Sequence, residues 1–119
     1  MILLTEVIHR LNLQPLTSHE PSDREVRSGY ASDLLSCAIK SAKRDTVWIT
    51  LQSHLNVVAV ASLLGLSGVI ITEGNGPDPE TLAKAQNEGV VLMGTPKTTF
   101  TVVAELASLG VKGDEERKE

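Results

Sequence analysis

Apolar residues recur at helical spacing from the start of the chain. Leu3, Leu4, Val7, Ile8 and Leu11 fall on one face and predict an amphipathic helix over residues 2–12. Pro15, Thr17, Ser18, Pro21, Ser22 and Asp23 then read as a loop, with a short strand near Leu16. Glu25–Gly29 predicts a further short extended piece. Ser32 has the chemistry of a helix N-cap, and Leu34, Leu35, Ala38, Ile39 and Ala42 form one face of a helix over 33–43. Cys37 falls off that apolar face, which makes it a candidate interface neighbour.

The rest of the chain alternates regularly. β-rich runs begin at Val47, Val69 and Val90, and end at Thr50, Thr72 and Met93. A helix over 55–64 separates the first two, and one over 80–88 separates the last two. Asp78 serves the second helix as cap, Pro79 as its first turn and Gly89 as its stop. A last helix spans Thr99–Leu109 and stops at Gly110. Short, continuously apolar strands joined by helices make overlapping βαβ units, so the strands pair in parallel as neighbours. The expectation is a single α/β domain over 1–111, with a mostly parallel sheet of about four to five strands flanked by helices. Helix 55–64 is apolar almost all round, which predicts the most central position and near-complete burial. The charged tail, 112–119, is expected to fray.

Composition narrows the function. Apolar residues make 41% of 119 residues, enough for a packed core without staples. The net charge is −4, and the chain has one Trp, one Tyr and one Phe. Neither a basic face nor a base-stacking platform is available, so nucleic acid is not an expected partner. The single Cys37 allows no intrachain disulfide and fits a reducing, cytoplasmic setting. The apolar stretch 55–71 is broken by Asn56, Ser62, Gly65, Ser67 and Gly68, so no membrane span is expected.

Ligands of open parallel sheets bind beyond the carboxyl ends of the strands. That rule gathers Thr50, Ser53, His54, Asn56, Thr72, Glu73, Gly74, Asn75, Gly76 and Thr95 as a candidate binding edge. Ser53 is expected to cap a helix starting at His54, whose free N–H groups suit a small anion or nucleotide. The same residues also serve as the caps and turns any α/β domain needs. The run from Glu73 to Asp78 lacks the lysine of a phosphate loop. Histidines 9, 19 and 54 lack metal-ligand spacing, and Ser53 beside His54 makes no nucleophile–base pair. No catalytic residue, metal site or cofactor is therefore expected.

Three stretches carry a family resemblance: Gly29–Ser36, Val47–Leu63, and Val69–Gly74 with Pro77–Glu80. Together they resemble a DRTGG domain, found in the N-terminal part of HPr kinase/phosphorylase-like proteins and beside CBS domains in some pyrophosphatases. The resemblance implies an α/β fold and a regulatory or dimerisation role. It implies a homo-oligomer, or docking onto a larger metabolic or redox enzyme, since some stand-alone relatives are encoded near iron hydrogenase subunits. The Asp-Arg pair that names the family falls at Ser53 and His54. Its paired glycines fall at Glu73 and Gly74, so an acid replaces one glycine. The HPr serine kinase label such chains carry implies a phosphate loop that these residues lack.

Overall fold

A computed structural model describes residues 1–18 and 24–116. His19 and the end of the expected tail, 117–119, lie outside the described residues. In chain order the elements are β1 (Ile2–Leu3), α1 (Leu4–Arg10), β2 (Gln14–Pro15), β3 (Glu25–Val26), β4 (Ser28–Ala31), α2 (Leu35–Ser41) and β5 (Thr46–Thr50). They continue with α3 (Leu55–Leu64), β6 (Gly68–Ile71), α4 (Pro79–Glu88), β7 (Leu92–Gly94), α5 (Thr99–Ser108) and a 3-10 turn, Asp114–Glu116.

The main sheet has five strands in the order β2-β7-β6-β5-β4. β4, β5, β6 and β7 pair in parallel, with Trp48 opposite Val69 and Ile70 opposite Met93. The single α/β domain and the parallel neighbours expected from the apolar runs are thus observed. The expected extended piece at 25–29 divides in two. Its first half pairs with β1 as an antiparallel ribbon, and its second half begins a fourth parallel strand. The expected strand near Leu16 is β2, antiparallel at the sheet edge, where Pro15 gives up no ladder bond.

Successive strand residues point to opposite faces, so one sheet serves two cores. Val47, Ile49, Ile70 and Met93 pack with Leu4, Val7, Val102 and Leu106 from α1 and α5. Trp48, Val69, Ile71 and Leu92 pack with Ala38, Val57, Val58, Ala61 and Ala85 from α2, α3 and α4. Burying each large apolar side chain contributes about 1.5–3 kcal/mol. Gly68 keeps the layers close: a Cβ there would stand 2.7 Å from the Met93 methyl and 3.2 Å from the Val91 carbonyl.

Several expectations need correction. α3 is not wholly buried. Val57, Val58, Val60 and Ala61 face the sheet, but Ala59 and Ser62 are exposed and Leu63 is 74% exposed. Neighbouring helices α2 and α4 flank α3, and among the described residues nothing covers its outer side. Ser32 does not cap α2, which starts after Leu34; the Ser32 hydroxyl accepts from the Leu34 N–H at 3.2 Å within the preceding loop. Fraying does not begin at Lys112. Gly29 N–H donates to the Lys112 carbonyl at 2.9 Å, and Gly113 bridges Gly29 in parallel. Asp114 is buried and accepts from the Ser28 and Thr46 hydroxyls and from Lys43 N–H. A carboxylate on three donors clamps this segment along the β4 edge. Among the described residues no helix is long and apolar enough to cross a membrane.

Candidate functional site

The carboxyl ends of β5, β6 and β7 lie side by side, and their loops are stitched by side chains. Thr50 is buried; its hydroxyl donates to Asp33 Oδ1 at 2.9 Å and accepts from Gln52 N–H at 3.1 Å. Leu51 N–H reaches the same Asp33 oxygen at 2.9 Å. Asn75 Nδ2 donates to the Leu51 carbonyl at 2.8 Å, closing the loop after β6 onto the loop after β5. The hydroxyls of Thr72 and Thr99 lie 2.8 Å apart and fix the start of α5 to the end of β6.

The turn after β6 is backbone-driven. Glu73 N–H donates to the Lys97 carbonyl at 2.8 Å, and Gly74 N–H to the Thr95 carbonyl at 3.0 Å. Glu73 and Gly74 both stand at positive φ, 62° and 71°. Glycine takes that conformation freely, whereas an acid bears a steric cost. Both positions are therefore ones that glycine fills without strain, and Glu73 does not.

The expected site residues separate into two groups. Gly74, Asn75, Gly76 and Thr95 come together and, with Gln14, Leu16, Gly94 and Pro96, line a groove of about 250 Å³. A Cβ at Gly74 or Gly76 would meet nothing within 4 Å, so both backbones are approachable. His54 and Asn56 are exposed at the start of α3, and Ser53 is half-buried before it. Ser53 does not cap this helix: the N-cap is His54, through its backbone and without a side-chain hydrogen bond. Neither Ser53 nor His54 lines the groove at Gly74–Gly76. Thr50 and Thr72 spend their hydroxyls holding loops.

Sequence reasoning missed Asp33 and Lys97. Asp33 reads as a first-turn acid of α2, yet its carboxylate crosses to β5. Lys97 Nζ donates to the Leu11 carbonyl at 3.0 Å and pairs with Glu105 at 2.8 Å, tying α1 to α5. The Asp33–Thr50 and Lys97–Leu11 contacts join residues far apart in sequence, and no local pattern announces them.

The chain belongs to the DRTGG domain family, which matches residues 6–109. No curated protein matches the chain. Among solved structures it is similar to the CBS and DRTGG domains of the regulatory region of Clostridium perfringens pyrophosphatase, complexed with the activator diadenosine tetraphosphate. The TM-score is 0.71 at 15% identity, over 98% of this chain and 50% of that one. The chain thus spans half the length of that structure, and the likeness shows a shared fold.

Proposed function

We propose that the chain is a regulatory or assembly module that acts by binding, through self-association or by docking onto a larger metabolic or redox enzyme. The observation that carries this reading is the DRTGG match over residues 6–109, on a fold shared with the regulatory region of a pyrophosphatase. The strand-end geometry agrees with it. Thr50, Thr72 and Asn75 use their polar groups to hold loops together. Such groups build a rigid docking edge.

A second reading is a sensor of a nucleotide or other small anion. It is favoured by the groove at Gly74, Asn75, Gly76 and Thr95, and by the dinucleotide in the complex of the similar structure. Thermal melts and amide NMR titrations with diadenosine tetraphosphate, ATP and inorganic phosphate separate the two. A ligand at about a hundred times its dissociation constant adds roughly 2.7 kcal/mol of stability. A melting shift with amide changes at Thr72–Gly76 and Thr95 supports the sensor. No shift with any of the three leaves the docking module. Turnover of a nucleotide by the purified chain overturns the non-catalytic reading.

A further inference from the structure

We infer that the outer face of α5, with the hollow beside it, is a self-association surface filled by a second copy of this chain. The copies are related by a two-fold axis between Val103 and Ala104, with their α5 helices antiparallel. This deepens the assembly-module reading and rests on it.

α5 carries two apolar faces. Val102 and Leu106 enter the core. Phe100, Val103, Ala104 and Ala107 follow the i, i+3, i+4, i+7 pattern of a contact stripe and face solvent. Phe100, the chain's single Phe, is 85% exposed, and Val103 is 40% exposed. Along one flank of the stripe runs a hollow of about 390 Å³, lined among others by Tyr30, Val103, Ala107, Gly110 and Val111. A wide apolar stripe beside an apolar hollow is the signature of a covered surface.

The shape of this face selects a copy of itself. Phe100 is its projection, and Ala107 and Gly110 floor its hollow, with Phe100 and Ala107 about 10 Å apart along the helix. An antiparallel pair turned about the middle of the stripe sets Phe100 over the partner's Ala107, and the reverse contact forms at the same time. Such reciprocity is what a two-fold interface requires. Charge agrees with the same placement. Glu73 stands beside the start of α5, where its N–H meets the Lys97 carbonyl at 2.8 Å, and Lys112 follows the end of α5. Both are exposed. The two-fold axis brings Glu73 toward the partner's Lys112 on each rim. Glu105, the acid within α5 itself, is already paired with Lys97. The stripe itself holds no charge.

Sedimentation equilibrium of the full chain tests this. The wild type is expected at twice the chain mass at high micromolar concentration. Phe100→Asp, at an exposed position, is expected to keep the wild-type circular dichroism and to weaken the dimer about thirtyfold or more, the scale of an interface hot spot. Glu73→Lys and Lys112→Glu are each expected to weaken it, and the double exchange to restore it. A monomeric wild type overturns the self-association. A dimer unmoved by Phe100→Asp overturns this face, and singles that the double exchange does not repair overturn the antiparallel placement. The module reading is judged separately, by the ligand titrations.

Discussion

Asp33 Oδ1 lies 2.9 Å from the Thr50 hydroxyl, so a loop residue before α2 completes the end of β5. The same oxygen accepts Leu51 N–H at 2.9 Å, and the Asp33 carbonyl accepts from Gln52 Nε2 at 3.2 Å. One residue therefore sets the path of the loop that leads to His54.

Replacing Asp33 by Ala leaves the buried Thr50 hydroxyl without this acceptor, and a loss of about 1–3 kcal/mol is expected. Asp33→Asn keeps an acceptor oxygen and is expected to recover most of it. Urea melts of the two variants check this. Equal losses would show that the carboxylate acts through packing or charge and not through acceptance.

The apolar-all-round pattern of 55–64 predicts a charge at Ala59 to be ruinous, and the structure reverses that. Ala59 faces solvent, whereas its neighbour Val58 is fully buried. Ala59→Arg is expected to melt within about 0.5 kcal/mol of the wild type, and Val58→Arg to prevent folding. A chain that collapses with Ala59→Arg would place a covering element on α3.

The contrast shows what the residues disclose. Val47–Thr50 and Val69–Thr72 read as buried strands because both faces of the sheet are covered, and continuous apolar runs have no other stable home. α3 misleads because its outer apolar residues are surface, and composition cannot tell a surface awaiting a partner from a core. The strands Ile2–Leu3, Gln14–Pro15 and Glu25–Val26 are two residues each, too short for any period to register. The strand-end edge that the strand rule picks out was legible as a place in the fold. Its division was not, because the groove at Gly74–Gly76 is closed by Gln14 and Leu16 from the far end of the chain.

Asp78 gives the fold an acid limit with a definite sign. Its carboxylate caps α4, accepting Thr81 N–H at 2.8 Å, and this bond holds its pKa below the ordinary value of 3.8. A group whose pKa falls on folding stabilises the native state above its unfolded value. That stability is lost as pH drops through the folded value. Melting temperature is therefore expected to fall below about pH 4. Asp78→Asn still caps but cannot titrate, so its curve should be flatter over that window. Identical acid limbs would assign the fall to other carboxylates, beginning with Glu88, which the Lys84 ammonium lowers from 2.6 Å.

Glu73 combines a backbone cost with an exposed charge, and the two can be separated by substitution. At φ 62° a residue with a Cβ is strained by about 1–2 kcal/mol, and glycine is not. Glycine gives back part of this through the greater freedom of the unfolded chain. Glu73→Gly is therefore expected to raise the stability of the folded chain by about 0.5–1 kcal/mol, the net of these two effects. Glu73→Ala keeps the strain, removes the carboxylate, and is expected to leave stability near the wild type. Urea melts of both variants, made in the Phe100→Asp background so that self-association does not enter, read the backbone effect alone. A gain shared equally by Gly and Ala would trace it to the lost charge. A gain confined to Gly shows that the backbone after β6 favours glycine at position 73, and that this chain holds an acid there at a cost to its own fold.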